Sequence, residues 1–140
     1  MNIITTVFVN ASQHAKGATS EMGRQYLRGN DYQQLNLVEY RINQLNQQYQ
    51  GDQFSQVFSQ LKAADWIVLG TPVYWHHMSA YLQTLLERLS QDDDFDALRG
   101  KRLSILIQGS DPSDTIGPVT RIIQRFAGVA KMEFVDLQEA

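Results

Sequence analysis

Short runs of β-branched and apolar residues alternate along this chain with stretches whose apolar residues recur every three or four positions. Ile3 to Val9 is apolar on both faces, the pattern of a strand buried on both sides of a parallel sheet. A polar loop, Asn10 to Gly17, leads into a helix predicted from about Thr19 to Arg28, where Gly29 and Asn30 stop it. Leu35 to Tyr40 reads as a weaker strand. Arg41 to Asp52 is polar and glutamine-rich, either a loop or a frayed extension of the next helix. Phe54, Val57, Phe58 and Leu61 fall at helical spacing and predict a helix over Gln53 to Ala63. Trp66 to Leu69 is the third strand, ending at Gly70, because Pro72 fixes φ and removes a backbone donor. Leu82, Leu85, Leu86 and Leu89 share one face of a helix from Ser79 to Leu89. The acidic run Gln91 to Asp96 reads as a loop. Leu103 to Ile107 is the fourth strand, running out into Gln108, Gly109 and Ser110. Val119, Ile122, Ile123, Phe126 and Val129 predict a fourth helix, and Met132 to Leu137 the last strand.

Strict alternation of five strands and four helices predicts a single α/β domain over residues 1–140. It has a parallel sheet in the order 2-1-3-4-5, with helices on both faces. In that order strands one, three and four are neighbours. Their following loops meet at one carboxyl edge, where open α/β sheets bind ligands.

Composition narrows the chemistry. With 43% hydrophobic and 19% charged residues in 140, the chain can bury a real core. A net charge of -3 argues against nucleic acid as the main partner. There is no cysteine, which removes disulfides, thiolate metal sites and cysteine nucleophiles together. No basic region precedes a long apolar segment at the amino terminus, and no apolar run has membrane-spanning length, so a cytoplasmic protein is expected.

The three converging loops carry the candidate chemistry. Asn10-Ala11-Ser12-Gln13-His14-Ala15-Lys16-Gly17-Ala18-Thr19-Ser20 brings hydroxyls and small residues to a helix amino terminus, a place that suits a phosphate. An ordinary N-cap by Thr19 or Ser20 accounts for the same residues. No Lys-Ser or Lys-Thr pair follows the glycine, so this is not a P-loop. Pro72-Val73-Tyr74-Trp75-His76-His77 spills aromatics beyond the third strand, either as a wall for a flat ligand or as packing beneath a loop. Adjacent histidines on an extended loop point to opposite sides, and no carboxylate has metal-ligand spacing beside them, so no metal is expected. No Gly-x-Ser-x-Gly elbow supports a Ser–His–Asp site, and Asn10 stands where a response regulator needs an acid.

The segment Gly70-Thr71-Pro72-Val73-Tyr74-Trp75, continued by Met78-Ser79-Ala80-Tyr81-Leu82-Gln83 and Glu87-Arg88, resembles the S-P-V-Y-W-x-x-M-S-A-x-L-K…D-R segment of the flavodoxin-like NAD(P)H-dependent FMN reductase and quinone reductase superfamily. Ala64-Asp65-Trp66-Ile67-Val68 is similar to its A-D-x-I-V lead-in, and Ser12 to Thr19 to its G-S-x-R-x-x-G-x-T phosphate loop. The resemblance implies a flavodoxin-like three-layer sandwich and FMN as cofactor. By it, Ser12, Ala18 and Thr19 would hold the phosphate, with His14 and Gly17 also among the cofactor-binding positions. Pro72, Val73, Tyr74 and Trp75 would lie along the isoalloxazine, with His76 and His77 also among the cofactor-binding positions, and Gln108, Gly109 and Ser110 would close the other side. Ala11 stands where the family has Gly, His14 where it has Arg, and His77 where Gly is common. Hydride chemistry belongs to the flavin, so no catalytic side chain is required.

The expectation is an NAD(P)H-dependent oxidoreductase acting through FMN on a quinone, a free flavin or a similar planar acceptor. The resemblance also implies a homodimer, with Tyr81 and Leu85 as contact candidates. A one-electron flavodoxin carrier and a flavin-free binding module of the same fold are the competing readings. The strongly acidic surface and T-x-T-G-x-T loop of carrier flavodoxins are not evident.

Overall fold

A computed structural model describes residues 4–140. Five parallel strands form the sheet: β1 (Thr6–Asn10), β2 (Gln33–Asn36), β3 (Trp66–Tyr74), β5 (Arg102–Gln108) and β6 (Glu133–Glu139), in the order β2-β1-β3-β5-β6. A two-residue strand, β4 (His77–Met78), pairs antiparallel with the end of β3. Four helices connect them: α1 (Ala18–Tyr26), α2 (Phe54–Ala63), α3 (Ala80–Ser90) and α4 (Ile116–Ala130). This is the flavodoxin-like sandwich. Ile3, with which the first strand was expected to begin, lies outside the described residues, and Ile4 and Thr5 are not in the strand.

The period-2 alternation of the central strands sorts the core into two layers. Val7, Val9, Ile67, Leu69, Leu103, Ile105 and Ile107 face α2, α3 and α4. Phe8, Val68 and Leu106 face α1, with Leu27. Right-handed crossovers explain the split: the step from β1 to β2 runs one way along the sheet, and every later step runs the other way. The edge strands β2 (Gln-Gln-Leu-Asn) and β6 (with Glu133, Asp136 and Glu139) are polar, which blunts edge-to-edge pairing.

Three expectations are corrected. The third strand does not stop at Gly70 but continues to Tyr74. Ala11 N donates to Gly70 O, so Gly70 faces β1; two residues on, Pro72 faces the same side, where β1 has already ended, and its missing N–H costs no ladder bond. The second strand is Gln33–Asn36, and Leu37–Glu39 forms a 3-10 turn instead of a strand. The acidic run is only partly a loop, because Phe95–Leu98 winds into a 3-10 turn that sets Phe95 edge-on to Phe126.

The glutamine-rich segment 41–52 is a loop, tied down by Arg88. The guanidinium donates to Asn43 O (2.7 Å) and to both oxygens of Asp52, and stacks over Phe54. That hydrogen bond holds the Asp52 carboxyl below the usual range. Among the described residues no helix is long and apolar enough to cross a membrane.

Candidate FMN site

The carboxyl ends of β1, β3 and β5 stand side by side, with Asn10 opposite Gly70 and Pro72 opposite Gln108. The three loops therefore meet as the strand order requires. What shapes the first loop is Asn10, fully buried at the end of β1. Its Oδ1 accepts from Ser12 N (3.1 Å); its Nδ2 donates to His14 O and to Asn36 Oδ1 (both 3.0 Å). A short amide that can serve two loop groups at once turns the chain sharply at the strand end. Ser12 Oγ then accepts from His14 N (3.0 Å), and Gly17, in extended conformation, starts α1 with its N–H on Ser20 Oγ (2.8 Å).

The loop ends with donors and few acceptors. The N–H groups of Ala15, Lys16, Ala18, Thr19 and Ser20 have no acceptor among the described residues. Three of them open α1, where the helix dipole adds positive potential. Thr19 is buried, with its hydroxyl 3.4 Å from Gln108 Oε1, so it bridges the first and third loops. His14 and Gly17 are exposed.

The second loop is a hairpin and not an extended segment. Tyr74 pairs with His77, leaving Trp75 and His76 as a two-residue turn with φ of 49 and 65. Positive φ at both central residues is what a type I′ turn demands, and it is unusual for residues with side chains this large. Trp75 is 92% exposed at the tip. Thr71 Oγ1 accepts from Ser79 N (3.0 Å), and Ser79 Oγ caps α3 on Leu82 N, so the hairpin leads rigidly into the helix.

Side chains pin the hairpin on both flanks. Tyr74 Oη accepts from Gln13 N (3.0 Å) on the first loop. His76 Nδ1 lies 2.6 Å from Asp114 Oδ2 on the loop after β5, and this contact lowers the Asp114 carboxyl below its ordinary range. Gly109 packs against Val73, where an added Cβ would stand 3.1 Å from Val73 Cγ2. Its N–H goes to Ala140 O (2.8 Å), while Ser110 is exposed. Asn10 and Asp114 were not among the expected site residues. A buried Asn at a strand end is a readable loop signal, whereas nothing in the spacing of His76 and Asp114 announces their pairing.

The sequence profile of the NADPH-dependent FMN reductase family matches residues 4–139. The chain belongs to that family. It is an oxidoreductase of the flavoprotein class, and its cofactor is FMN. No curated protein matches the sequence. In fold it is similar to the Trp repressor binding protein from Bacillus subtilis, at 21% identity and a TM-score of 0.78 over 96% of this chain and 86% of that one. An NADPH-quinone reductase from P. pentosaceus superposes at 20% identity and a TM-score of 0.68, covering 98% and 84%. RosB, solved with bound 8-demethyl-8-formylriboflavin-5'-phosphate, gives 15% identity and a TM-score of 0.81 over 98% of this chain, which spans 66% of RosB's length.

The residues present fit the cofactor. Five unpartnered N–H groups beside two hydroxyls suit a phosphate, and the flanking hairpin and β5–α4 loop offer two walls. Leu85, expected at a subunit contact, is instead fully buried against the sheet; Tyr81 is 38% exposed.

Proposed function

We propose that this FMN reductase family member is a cytoplasmic homodimer that takes a hydride from NADH or NADPH and passes electrons to a quinone, a free flavin or a similar planar acceptor. In this reading Ser12, His14, Gly17, Ala18 and Thr19 cradle the phosphate, the β3–β4 hairpin flanks the ring on one side, and Gln108 to Ser110 stand on the other. Bound FMN supplies the hydride acceptor and donor itself. The protein's part is to hold the ring and limit water, and no general base is needed.

The observation that carries two-electron chemistry is the double pinning of the hairpin. A one-electron carrier uses a mobile loop peptide that rearranges as the ring takes up an electron. Here Tyr74 and His76 fasten the corresponding segment to both neighbouring loops. Anaerobic titration of the FMN-loaded protein with NADH and NADPH tests this. The flavin band should bleach in one step, without long-wavelength absorbance building up between, and a benzoquinone should restore it. Long-wavelength absorbance together with inertness to both nicotinamides would move the protein to the carriers; no flavin uptake at high micromolar protein would make it a binding module.

The homodimer is supported by Tyr81, which stays exposed at the start of α3. It lines an apolar cavity of about 240 Å³ with Leu37, Tyr40 and Ile42. Sedimentation of the loaded protein at tens of micromolar should give twice the chain mass, and a monomer there contradicts this part of the reading.

A further inference from the structure

Tyr74 ends β3, yet its side chain reaches back across the sheet edge to the β1–α1 loop. The phenol oxygen accepts from Gln13 N at 3.0 Å and lies 3.4 Å from Ser12 Oγ. Ser12 Oγ in turn accepts from His14 N at 3.0 Å. Two hydroxyls thus receive two backbone N–H groups and still carry two protons of their own. They can share at most one between them, so at least one O–H has no acceptor among the described residues. The free N–H groups of Ala15, Lys16 and the first turn of α1 belong to the same loop. The nearest carboxylate in sequence, Glu21, is already engaged by Arg24.

We propose that the Tyr74 hydroxyl is a phosphate-binding group of this loop and sets its preference for FMN over riboflavin. The inference rests on the FMN reading above and moves Tyr74 from the ring wall to the phosphate end. A backbone N–H donated into the phenol oxygen polarises the O–H for onward donation. A phenol is also a stronger donor than an aliphatic hydroxyl, and a hydrogen bond to a charged acceptor gains most from that. With His14 where the family places Arg, a neutral donor of this strength does part of what a fixed cation would do.

Tyr74→Phe keeps the ring and removes only the oxygen. Equilibrium quenching titrations should show the FMN dissociation constant rising about tenfold, the loss expected for one charge-assisted hydrogen bond. The riboflavin constant should stay within about twofold, since an effect below 0.5 kcal/mol is what an ordinary surface change produces. Inorganic phosphate should raise the melting temperature of the wild type more than that of the variant, at matched ionic strength. Unchanged FMN affinity overturns the proposal, as does an equal loss for FMN and riboflavin, which would mark Tyr74 as ring contact or loop support. Tighter FMN binding overturns it too, because the phenol would then be competing with phosphate. A wild type that takes up neither FMN nor phosphate defeats the FMN reading and this inference together, whereas flavin binding with an indifferent Tyr74→Phe defeats only the latter.

Discussion

Ala18→Pro should weaken FMN binding by about ten- to a hundredfold and leave riboflavin binding and folding intact. Ala18 is the first residue of α1, and its N–H has no acceptor among the described residues. Proline is favoured at that helical position, since the N–H it lacks is one that no helical carbonyl would accept. Gly17 before it is extended, which is the conformation a following proline prefers. The substitution therefore deletes one donor and leaves the helix as it was. If that donor meets a phosphate dianion, its loss is worth about 1.5–3 kcal/mol. Riboflavin has no phosphate and registers nothing. Paired titrations with the two flavins decide the matter, with a thermal scan confirming a melting temperature at or above the wild type's. Equal losses for both ligands, or none for FMN, would remove the phosphate from the start of α1.

Gly23→Ala should lower stability by about 1–3 kcal/mol, the usual range for overfilling a packed core. On helix propensity alone the sign would be opposite, because Ala in a helix interior is favoured over Gly by about 1 kcal/mol. Packing decides otherwise. A Cβ on Gly23 would stand 2.4 Å from two carbons of the Phe8 ring. Phe8 cannot retreat, because a Cβ-sized space on its other side is closed by Gly70, where an added Cβ would stand 2.6 Å from the same ring. The ring is thus clamped between α1 and β3, each contributing a glycine at the point of approach. A drop of several degrees in melting temperature is expected for a chain of this size. Shortening the ring in Phe8→Leu should recover part of the loss in the double variant. A Gly23→Ala protein as stable as the wild type would show that α1 can ride up without cost.

The alternation that makes the sheet was legible because β1, β3 and β5 are buried on both faces, so apolar residues fill most of their positions. The edge strand β2 was placed late because Gln33 and Gln34 owe their ladder to backbone bonds with β1, which side-chain character does not announce. Pro72 misled in the same way: its missing donor ends a strand only where a neighbour needs that donor, and here β1 has run out. The convergence of loops at the candidate site followed from strand order. The contacts that close it did not, since Tyr74 with Gln13 and His76 with Asp114 join residues 61 and 38 positions apart. Only three-dimensional placement shows that the hairpin is a strut between two loops.

The hairpin also gives the chain an optical asymmetry. Its two tryptophans lie at opposite ends of β3, Trp66 as its first residue and Trp75 just past its last. Trp66 is half-buried at the start of β3, its indole N–H on Ser104 Oγ (3.0 Å) and the Arg102 guanidinium over its ring. Trp75 stands in water at the turn, beside the His76 ring. The blue part of the intrinsic emission therefore belongs to the amino edge of the sheet and reads the fold, while the red part belongs to the carboxyl edge and, with FMN bound as proposed above, should read the ligand. On that reading, one unlabelled spectrum should separate loss of structure from arrival of a flavin.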